Sequence, residues 1–353
     1  MNKRFFLWSG LLVMLLACNM GGTVSPPNSD LLATLAASTP LTGSPAAPVA
    51  TDSVPTSIFN LSTPLPSTVT VPTSSSTIQP TGKIVFTCQI FKVQASNQIC
   101  VINADGTGFR RLTTDDTKQH YYSSISPDGW NVVYAAFREA NVYELYEMNI
   151  ANGSVRQLTN RLGILNAPEI SPDGKSIVFK HSTGFNNKNQ IWFMDRDGEN
   201  VGNIPRASGW DPTWSPDGKY VLFASDMDGA VQLFTIRTNG KELHKISSLP
   251  AIRGRSDWSP DGQYIVTYSG GPWEHEVYLM NADGTNAHVI SPLGGNSQGA
   301  SFSPDGQWVT FTAYFDHPND DHGCEIYVMR IDGSDLRRLT DNDYCDYQPR
   351  WGP

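Results

Sequence analysis

The tetrapeptide Ser-Pro-Asp-Gly at residues 126–129 returns at 171–174, 215–218, 259–262 and 303–306, so successive copies lie 44 or 45 residues apart. In each copy proline restricts φ at the second position, aspartate can hydrogen-bond its own backbone, and glycine completes a tight turn. An apolar or alternating run follows, such as Val132-Val133-Tyr134, which is typical of a half-buried strand. A repeat of this length with strand-like segments between turns predicts the blades of a β-propeller.

Two further strand-like segments complete each repeat, so four antiparallel strands, called A to D in chain order, make one blade. Before the first turn, residues 83–87, 98–103 and 109–113 match strands B, C and D, and the missing strand A occurs at 347–351. Pairing of this C-terminal strand with the N-terminal three closes the ring and removes exposed strand edges. The chain is therefore predicted to be an all-β, six-bladed β-propeller.

The repeats resemble the WD40-like PD40 repeat of the TolB family of bacterial envelope proteins. The resemblance rests on Trp-Ser-Pro-Asp-Gly at 214–218 and 258–262 and on Met-Asn-Ala-Asp-Gly at 280–284, and it covers about residues 82–351. It implies a propeller that binds a partner in the cell envelope. TolB proteins carry an α/β domain before the propeller, and we expect no counterpart of it here. Only the fold and the general idea of partner binding are therefore carried over.

The N-terminal segment predicts export and a lipid anchor. A basic start, an apolar stretch at residues 5–17 and then Leu15-Leu16-Ala17-Cys18 resemble the signal and lipobox of bacterial lipoproteins. The stretch is too short to span a bilayer. We expect a signal peptide at 1–17 and lipidation of Cys18 at the extracytoplasmic face of the bacterial cell envelope, where two or three acyl chains hold a protein stably. The alternative is an ordinary signal peptide followed by a chance cysteine.

A long polar segment separates this anchor from the repeats. Residues 18–80 are rich in Ser, Thr, Pro and Ala, and such a composition buries too little apolar surface to fold. The segment is predicted to be a disordered tether, and residues 81–353 to be the propeller.

The remaining cysteines and the net charge fit an exported binding protein. Cys88 and Cys100 can face each other across a loop, while Cys324 and Cys345 lie on the same rim, so other disulfide pairings and free thiols stay open. The formal net charge is −9. This acidic balance argues against a nucleic-acid partner and against direct adsorption on anionic lipid. We expect a monomer without a cofactor.

Two groups of residues are candidate binding sites, because loops held on a rigid scaffold concentrate function. The D–A and B–C loops share one rim, here called the loop rim. The candidates on it are Trp210, Trp273, Phe315, Asp316, Asp320, Asp321, Asp341, Asp343, Tyr344 and Asp346. The six carboxylates of Asp316, Asp320, Asp321, Asp341, Asp343 and Asp346 need solvent, a cationic partner segment or Ca²⁺ to offset their repulsion, and Asp320, Asp321 and Asp343 are the weak Ca²⁺ candidates.

The second group lies on strand A, two and four residues before each Ser of the turn, where side chains face the central channel. Its charged members are Glu169, Asp211, Arg255, Asp257 and Arg350. The simplest interpretation is a water-filled pore, and the alternative is a partner segment or small ligand docked at its mouth.

No catalytic residues are predicted. Residues 295–299 spell Gly-x-Ser-x-Gly, but a strand rather than a helix follows, so a nucleophile elbow is not expected. The predicted function is non-catalytic binding of a protein or another envelope component. The alternative is a lyase-like enzyme acting on polysaccharide, or a carbohydrate-binding module, because some propellers of similar sequence are polyuronide lyases that use a metal and clustered histidines.

Overall fold

The computed structural model describes residues 79–90, 96–184, 188–315 and 323–353. The predicted signal peptide, Cys18 and nearly all of the predicted tether lie outside these ranges. Within them every regular element is a strand. No helix in this part of the chain has the length and apolar character needed to cross a membrane.

The first sheet joins the two ends of the described chain. Its strands, in spatial order, are β24 Asp346–Gly352, β1 Lys83–Gln89, β2 Asn97–Asn103 and β3 Arg110–Arg111. Strand β24 runs antiparallel to β1, from the pair Lys83↔Gly352 to the pair Cys88↔Asp346. The predicted pairing of the C-terminal strand with the N-terminal strands is therefore confirmed.

Three more sheets each contain four consecutive antiparallel strands. One contains β12 Trp210–Trp214, β13 Val221–Ser225, β14 Gln232–Ile236 and β15 His244–Lys245. The next contains β16 Asp257–Trp258, β17 Tyr264–Ser269, β18 Glu276–Asn281 and β19 His288–Val289. The last contains β20 Gln298–Phe302, β21 Trp308–Ala313, β22 Glu325–Arg330 and β23 Arg337–Arg338.

The fifth sheet has eight strands, which the sequence does not predict. One run is β4 His120–Ile125, β5 Asn131–Glu139, β6 Val142–Asn149 and β7 Val155–Gln157. The other is β8 Ile164–Ile170, β9 Ser176–Ser182, β10 Gln190–Asp195 and β11 Gly202–Asn203. A single parallel pair, Tyr143↔Ile164, joins the two runs. The amide of Tyr143 donates to the carbonyl of Gly163 at 2.9 Å, which brings β8 beside the start of β6.

Each four-stranded sheet, and each half of the eight-stranded sheet, is a run of four strands. The first strands of these runs in spatial order are β24, β4, β8, β12, β16 and β20, and they form a closed cycle of contacts. Strand β4 contacts β8, then β12, β16, β20 and β24 follow in turn, and β24 returns to β4. The apolar cores lie between neighbouring runs. In one of them Ile84 and Phe86 of β1 pack with Trp308 and with Trp351, which is 7 % exposed. The described part of the chain is thus an all-β propeller held by the contacts between successive sheets.

The Ser-Pro-Asp-Gly turns are fastened by the serine and the aspartate. In all five copies the Ser hydroxyl donates to the Asp carboxylate at 2.5–2.7 Å. The same Ser Oγ accepts from the amide five residues later at 2.9 Å. Glycine takes a left-handed φ of 68–74° in these turns, which a residue with a Cβ adopts only with strain. This repeated bonding explains why the motif recurs in register.

A Thr or Ser two residues after strand D has an equally regular role. In five repeats its hydroxyl oxygen accepts from an amide near the start of strand C, at 2.8–2.9 Å. The hydroxyl of Thr159 donates to the buried carboxylate of Glu144, and Ser291 donates likewise to Glu276. Strand D is short, and in these five repeats the side-chain bonds add to the backbone bonds that hold the outer edge of the run.

Two disulfides cross-link the region where the ring closes. Cys88 is bonded to Cys100 with a Cα–Cα distance of 5.8 Å, and Cys324 to Cys345 with 4.5 Å. All four candidate cysteines are therefore paired, and the pairing of Cys88 with Cys100 matches the facing geometry expected from the sequence.

Candidate functional site

A left-handed residue occurs at the same place in five channel-facing strands and just before the sixth, β16. The six residues, four positions before each motif Ser or its equivalent, have φ between 29° and 63°: Tyr122, Ala167, Asp211, Arg255, Gly299 and Gln348. In β4, β8, β12, β20 and β24 the pairing register shifts around this residue, as in a β-bulge. Five of the six carry a Cβ, and each such residue costs roughly 1–3 kcal/mol of backbone strain. A repeated bulge of this kind re-aims side chains, here at the mouth of the channel.

Two arginines bridge the channel, so its centre is not the open pore that the simplest interpretation predicts. Arg255 lies just before β16, yet its Nη2 donates to the carbonyl of Ser123 in β4, on the opposite side of the cycle, at 3.0 Å. The same atom donates to the carbonyl of Gln348 at 3.1 Å. The Arg255 guanidinium also lies 5.6 Å from the centre of the Tyr122 ring, a cation–π distance.

Arg350 makes the second bridge. Its Nη2 donates to the carbonyl of Ser256 at 3.1 Å and lies 3.3 Å from a carboxylate oxygen of Glu169. Its Nη1 lies 3.5 Å from the Asp257 carboxylate, close enough for an ion pair but without hydrogen-bond geometry. Arg350 is 6 % exposed. The two arginines therefore connect Glu169, Asp257 and the backbone of several channel strands.

The carboxylates are held by the neighbouring strands. Glu169 accepts from the Thr213 hydroxyl at 2.7 Å and from the amide of Trp214 at 3.1 Å. Asp257 accepts from the Ser301 hydroxyl at 2.7 Å. Asp211, the fifth charged candidate, accepts from the amide of Arg255 at 3.0 Å. Each carboxylate thus ties one channel strand to the next.

Burial controls the ionisation of this network. Burial raises the pKa of the Glu169 carboxyl, Arg350 opposes the rise, and the nearby Asp257 adds to it. Burial also raises the pKa of Asp211, against the lowering effect of Arg255. The pKa of Arg255 falls to about 10, because burial and the charge of Arg350 outweigh Asp211. The Glu169 and Asp257 side chains are mostly buried, with 16 % and 19 % of their surface exposed.

The aromatic candidates on the loop rim differ in their contacts and in their exposure. Trp273 is 44 % exposed, and its ring meets Tyr314 edge to face at 5.5 Å. Phe315 is half-buried and packs edge to face on Phe311 and Tyr327. Trp210 is half-buried and donates its indole N–H to the carbonyl of Arg253 at 3.0 Å. Trp273 is therefore the aromatic candidate that presents most surface to a partner.

The acidic corner differs from the expected cluster of six exposed carboxylates. Asp316, Asp320 and Asp321 lie outside the described residues. Asp341 is exposed and pairs with Arg338 at 2.7 Å, and Asp343 is exposed. Tyr344 is half-buried, and its amide donates to the side-chain oxygen of Asn342 at 2.8 Å. Among the described residues, no group of three or more His, Cys, Asp or Glu side chains could hold a metal ion. The Ca²⁺ hypothesis stays a prediction.

Asp346 is not a rim residue, and that assignment was wrong. It is the first residue of β24, is 1 % exposed and accepts from Asn342 Nδ2 at 2.9 Å. The carboxyl of Glu325, also 1 % exposed, accepts from the amide of Asn342 at 2.7 Å. Burial, with a smaller contribution from the charge of Glu325, raises the pKa of Asp346 to about 8. Strand pairing with Cys88 pulls Asp346 into the interior, which loop composition does not reveal.

Sequence reasoning also missed Glu325 and Tyr314. The signal for Glu325 is its position at the start of strand C, which Glu144 and Glu276 share, fifteen residues before a Thr or Ser. The hydroxyl of Tyr314 lies 3.8 Å from Cys345 Sγ, so it links the exposed Trp273 to the disulfide-bonded corner. Nothing in the local sequence indicates that contact.

Comparisons with known proteins agree with this fold. A family model described as "TolB beta propeller domain" (PD40) matches residues 73–317. The Tol-Pal system protein TolB of Francisella tularensis subsp. tularensis (strain WY96-3418) is 28 % identical over 119 residues, which are 33 % of this chain and 27 % of the relative. The protein from strain FSC147 of subsp. mediasiatica matches to the same extent. The chain thus spans about a quarter of the length of these curated relatives.

Solved structures show the same architecture. The crystal structure of TolB from Acinetobacter baumannii superposes with a TM-score of 0.65 and 23 % identity, covering 77 % of this chain and 67 % of that one. A putative TolB from Agrobacterium tumefaciens gives a TM-score of 0.58 and 19 % identity, covering 78 % and 99 %. At these identities the likeness establishes the fold alone.

Proposed function

Because the chain belongs to the family of TolB β-propeller domains, we propose that it is a non-catalytic binding protein of the bacterial cell envelope. Its partner is a protein segment that docks at the channel mouth and along the loop rim. The relatives named Tol-Pal system protein TolB support a role in an envelope assembly.

The channel mouth is the observation on which this proposal depends. Five Cβ-bearing residues in left-handed conformation encircle a channel that Arg255 and Arg350 bridge. Strain of this kind persists only where the surrounding structure over-determines the backbone. A surface fixed before binding loses little conformational entropy when a partner docks, which raises affinity without new contacts.

The charge of the mouth favours a partner with basic side chains. The carboxylates of Glu169, Asp211 and Asp257 face the two guanidinium groups of the bridging arginines and the charge of Lys180, which acts on Asp211, and Glu169 and Asp257 keep exposed surface. Exposed Asp343 and the predicted acidic loop at 316–321 add to the negative potential of this rim. Trp273 adds apolar contact area of the type enriched in interface anchors.

The remaining parts of the proposal concern attachment and ring size. We infer that lipidated Cys18 and a tether at 18–80 hold the propeller at the membrane on its extracytoplasmic face. We also infer six blades in a monomeric ring. The closed cycle of six channel-facing strands supports that count. On this view, the single pair Tyr143↔Ile164 joins two blades into the eight-stranded sheet.

A photo-crosslinking experiment tests the binding surface. The full-length protein is expressed in its native envelope with a photoreactive amino acid at Trp273 on the loop rim. The matched control has the same group at Lys219, an exposed residue in the turn before β13 on the opposite rim. We expect a discrete protein adduct at 273 and none at 219.

Two other outcomes decide against the proposal. Equal adducts at both positions mean that the loop rim is not the binding surface. Adducts at 273 that glycosidase rather than protease removes identify a carbohydrate-binding module instead. Replacement of Asp320 and Asp321 by Asn tests the acidic loop. If these carboxylates attract a basic partner segment, their replacement should reduce the amount of adduct. Added salt should reduce it too, because salt screens exposed charges.

A further inference from the structure

Among the described residues, the rim opposite the loop rim, here called the turn rim, exposes large apolar side chains on one arc only. It contains the A–B turns with the Ser-Pro-Asp-Gly motifs and the C–D turns. The exposed large apolar residues on it are Phe109 (56 %), Trp130 (62 %), Val155 (50 %) and Leu336 (40 %). They belong to three successive runs of the cycle, which contain β20–β23, then β24 with β1–β3, then β4–β7.

These residues depart from their own repeat. Trp130 directly follows the first Ser-Pro-Asp-Gly turn, where the other copies have Lys175, Lys219, Gln263 and Gln307. Phe109, Val155 and Leu336 occupy the C–D turn position that Val201 and Leu243 fill in other repeats. Val201 and Leu243 are half-buried against the core, so exposure is not a requirement of that position.

Neighbouring runs are joined along the arc. The guanidinium of Arg110, next to Phe109, donates to the carbonyl of Ile150 at 2.7 Å, and the amide of Ile150 donates to the carbonyl of Trp130 at 2.9 Å. Gly106, in the C–D turn of the first sheet, lies beside Leu339, since a Cβ built on this glycine would be 3.8 Å from the leucine side chain. The first sheet is therefore adjacent to the run that contains Leu336. The four apolar side chains therefore belong to turns of adjacent runs that are joined to one another.

The chain enters the propeller at the middle of this arc. Residues 79–82 lead into β1, and Trp351 Nε1 donates to the carbonyl of Thr81 at 2.8 Å. Gln79 accepts from the guanidinium of Arg337, the residue that follows Leu336. The 78 residues before Gln79, with the proposed lipid anchor, therefore join the propeller beside its apolar arc.

We propose that the apolar arc of the turn rim docks on the phospholipid bilayer that holds the lipid anchor, so that the loop rim faces away from the membrane. The proposal rests on the proposed anchor. Aromatic side chains prefer the membrane–water interface. The driving force is apolar burial rather than attraction to anionic headgroups, because the chain carries a net charge of −9.

Quenching of tryptophan fluorescence by brominated lipid tests the docking. The full-length protein is reconstituted into phosphatidylcholine vesicles, floated on a density gradient, and compared in brominated and ordinary lipid. We expect quenching in the wild type, loss of it in Trp130→Lys, and retention in Trp273→Lys. Trp273 is the matched control, since it is the other exposed tryptophan among the described residues and lies on the opposite rim.

The Cys18→Ser protein separates docking from anchoring. Half-burial of one aromatic side chain favours the bilayer about fivefold, so Trp130→Lys should lower the vesicle partition coefficient of the Cys18→Ser protein by about that factor. In one outcome the Cys18→Ser protein floats at the wild-type level and stops floating only when Trp130→Lys is added. That result would support docking and refute the anchor. Flotation without quenching would support the anchor and overturn docking, as would quenching that depends on Trp273. A wild-type protein that does not float refutes both.

Discussion

Replacing Asp346 by Asn should make the propeller more stable at neutral pH and reduce the fall in its stability between pH 5 and 8. The Asp346 side chain is 1 % exposed, and its pKa is raised to about 8 from an ordinary value of 3.8. Burial also raises the pKa of Glu325, so the two carboxyl groups titrate as a coupled pair. Asparagine keeps an oxygen that can accept the bond from Asn342 Nδ2.

The sign follows from proton binding. Between about pH 4 and pH 8 the folded state holds a proton on Asp346 that the unfolded state has released, so stability falls as pH rises. Below about pH 4 both the folded and the unfolded state hold the proton on Asp346, so this carboxyl does not change the free energy of unfolding with pH. Within the window each pH unit costs about 1.4 kcal/mol, or about 2.7 kcal/mol from pH 5 to pH 7. For a large domain this corresponds to a fall in Tm of roughly 5–10 °C.

The assay is thermal and urea unfolding of the wild type, Asp346→Asn and Asp343→Asn at pH 5, 6, 7 and 8. Asp343 is the matched control, because it lies in the same loop but is exposed. We expect the Tm advantage of Asp346→Asn over the wild type to grow steadily with pH, and the Asp343→Asn protein to follow the wild type. A difference between Asp346→Asn and the wild type that is constant with pH would refute the assigned burial and ionisation of Asp346.

Three other predictions concern closure, the channel and the anchor. Deletion of residues 347–353 should unfold the propeller, because it removes most of β24 and takes Trp351 from the core, which alone costs about 3–5 kcal/mol. Replacement of Arg350 by Met should lower the free energy of unfolding by about 3–5 kcal/mol, since Glu169 is left buried without its partner. Replacement of Cys18 by Ser should release the protein from the washed membrane fraction.

Each of these three predictions has a control variant or an outcome that contradicts it. For closure, the melting temperature is compared with that of Trp130→Lys, which changes only an exposed side chain; an unchanged value after the deletion contradicts closure. For the channel, the double variant Arg350→Met with Glu169→Gln should recover stability, and additive losses contradict the ion pair. For the anchor, wild-type distribution of Cys18→Ser in high salt contradicts lipidation.

The repeat architecture is determined by local sequence. Each Ser-Pro-Asp-Gly turn is closed by atoms within five residues, so Ser126, Asp128 and Gly129 specify their turn without help from the rest of the chain. Alternating apolar runs then specify half-buried strands on either side. The incomplete first and last repeats were enough to predict that β24 pairs with β1.

The candidate binding site depended on tertiary structure, because its contacts join residues that are far apart in sequence. The sequence placed Arg255 and Arg350 in the channel, but only the closed ring brings Arg255 to Ser123, 132 residues away, and Arg350 to Ser256, 94 residues away. Closure likewise decided that Asp346 is buried, because strand pairing rather than local polarity sets its exposure. The exposed arc around Trp130 also required the fold, since turns about 44 residues apart meet only when the repeats stack in a ring.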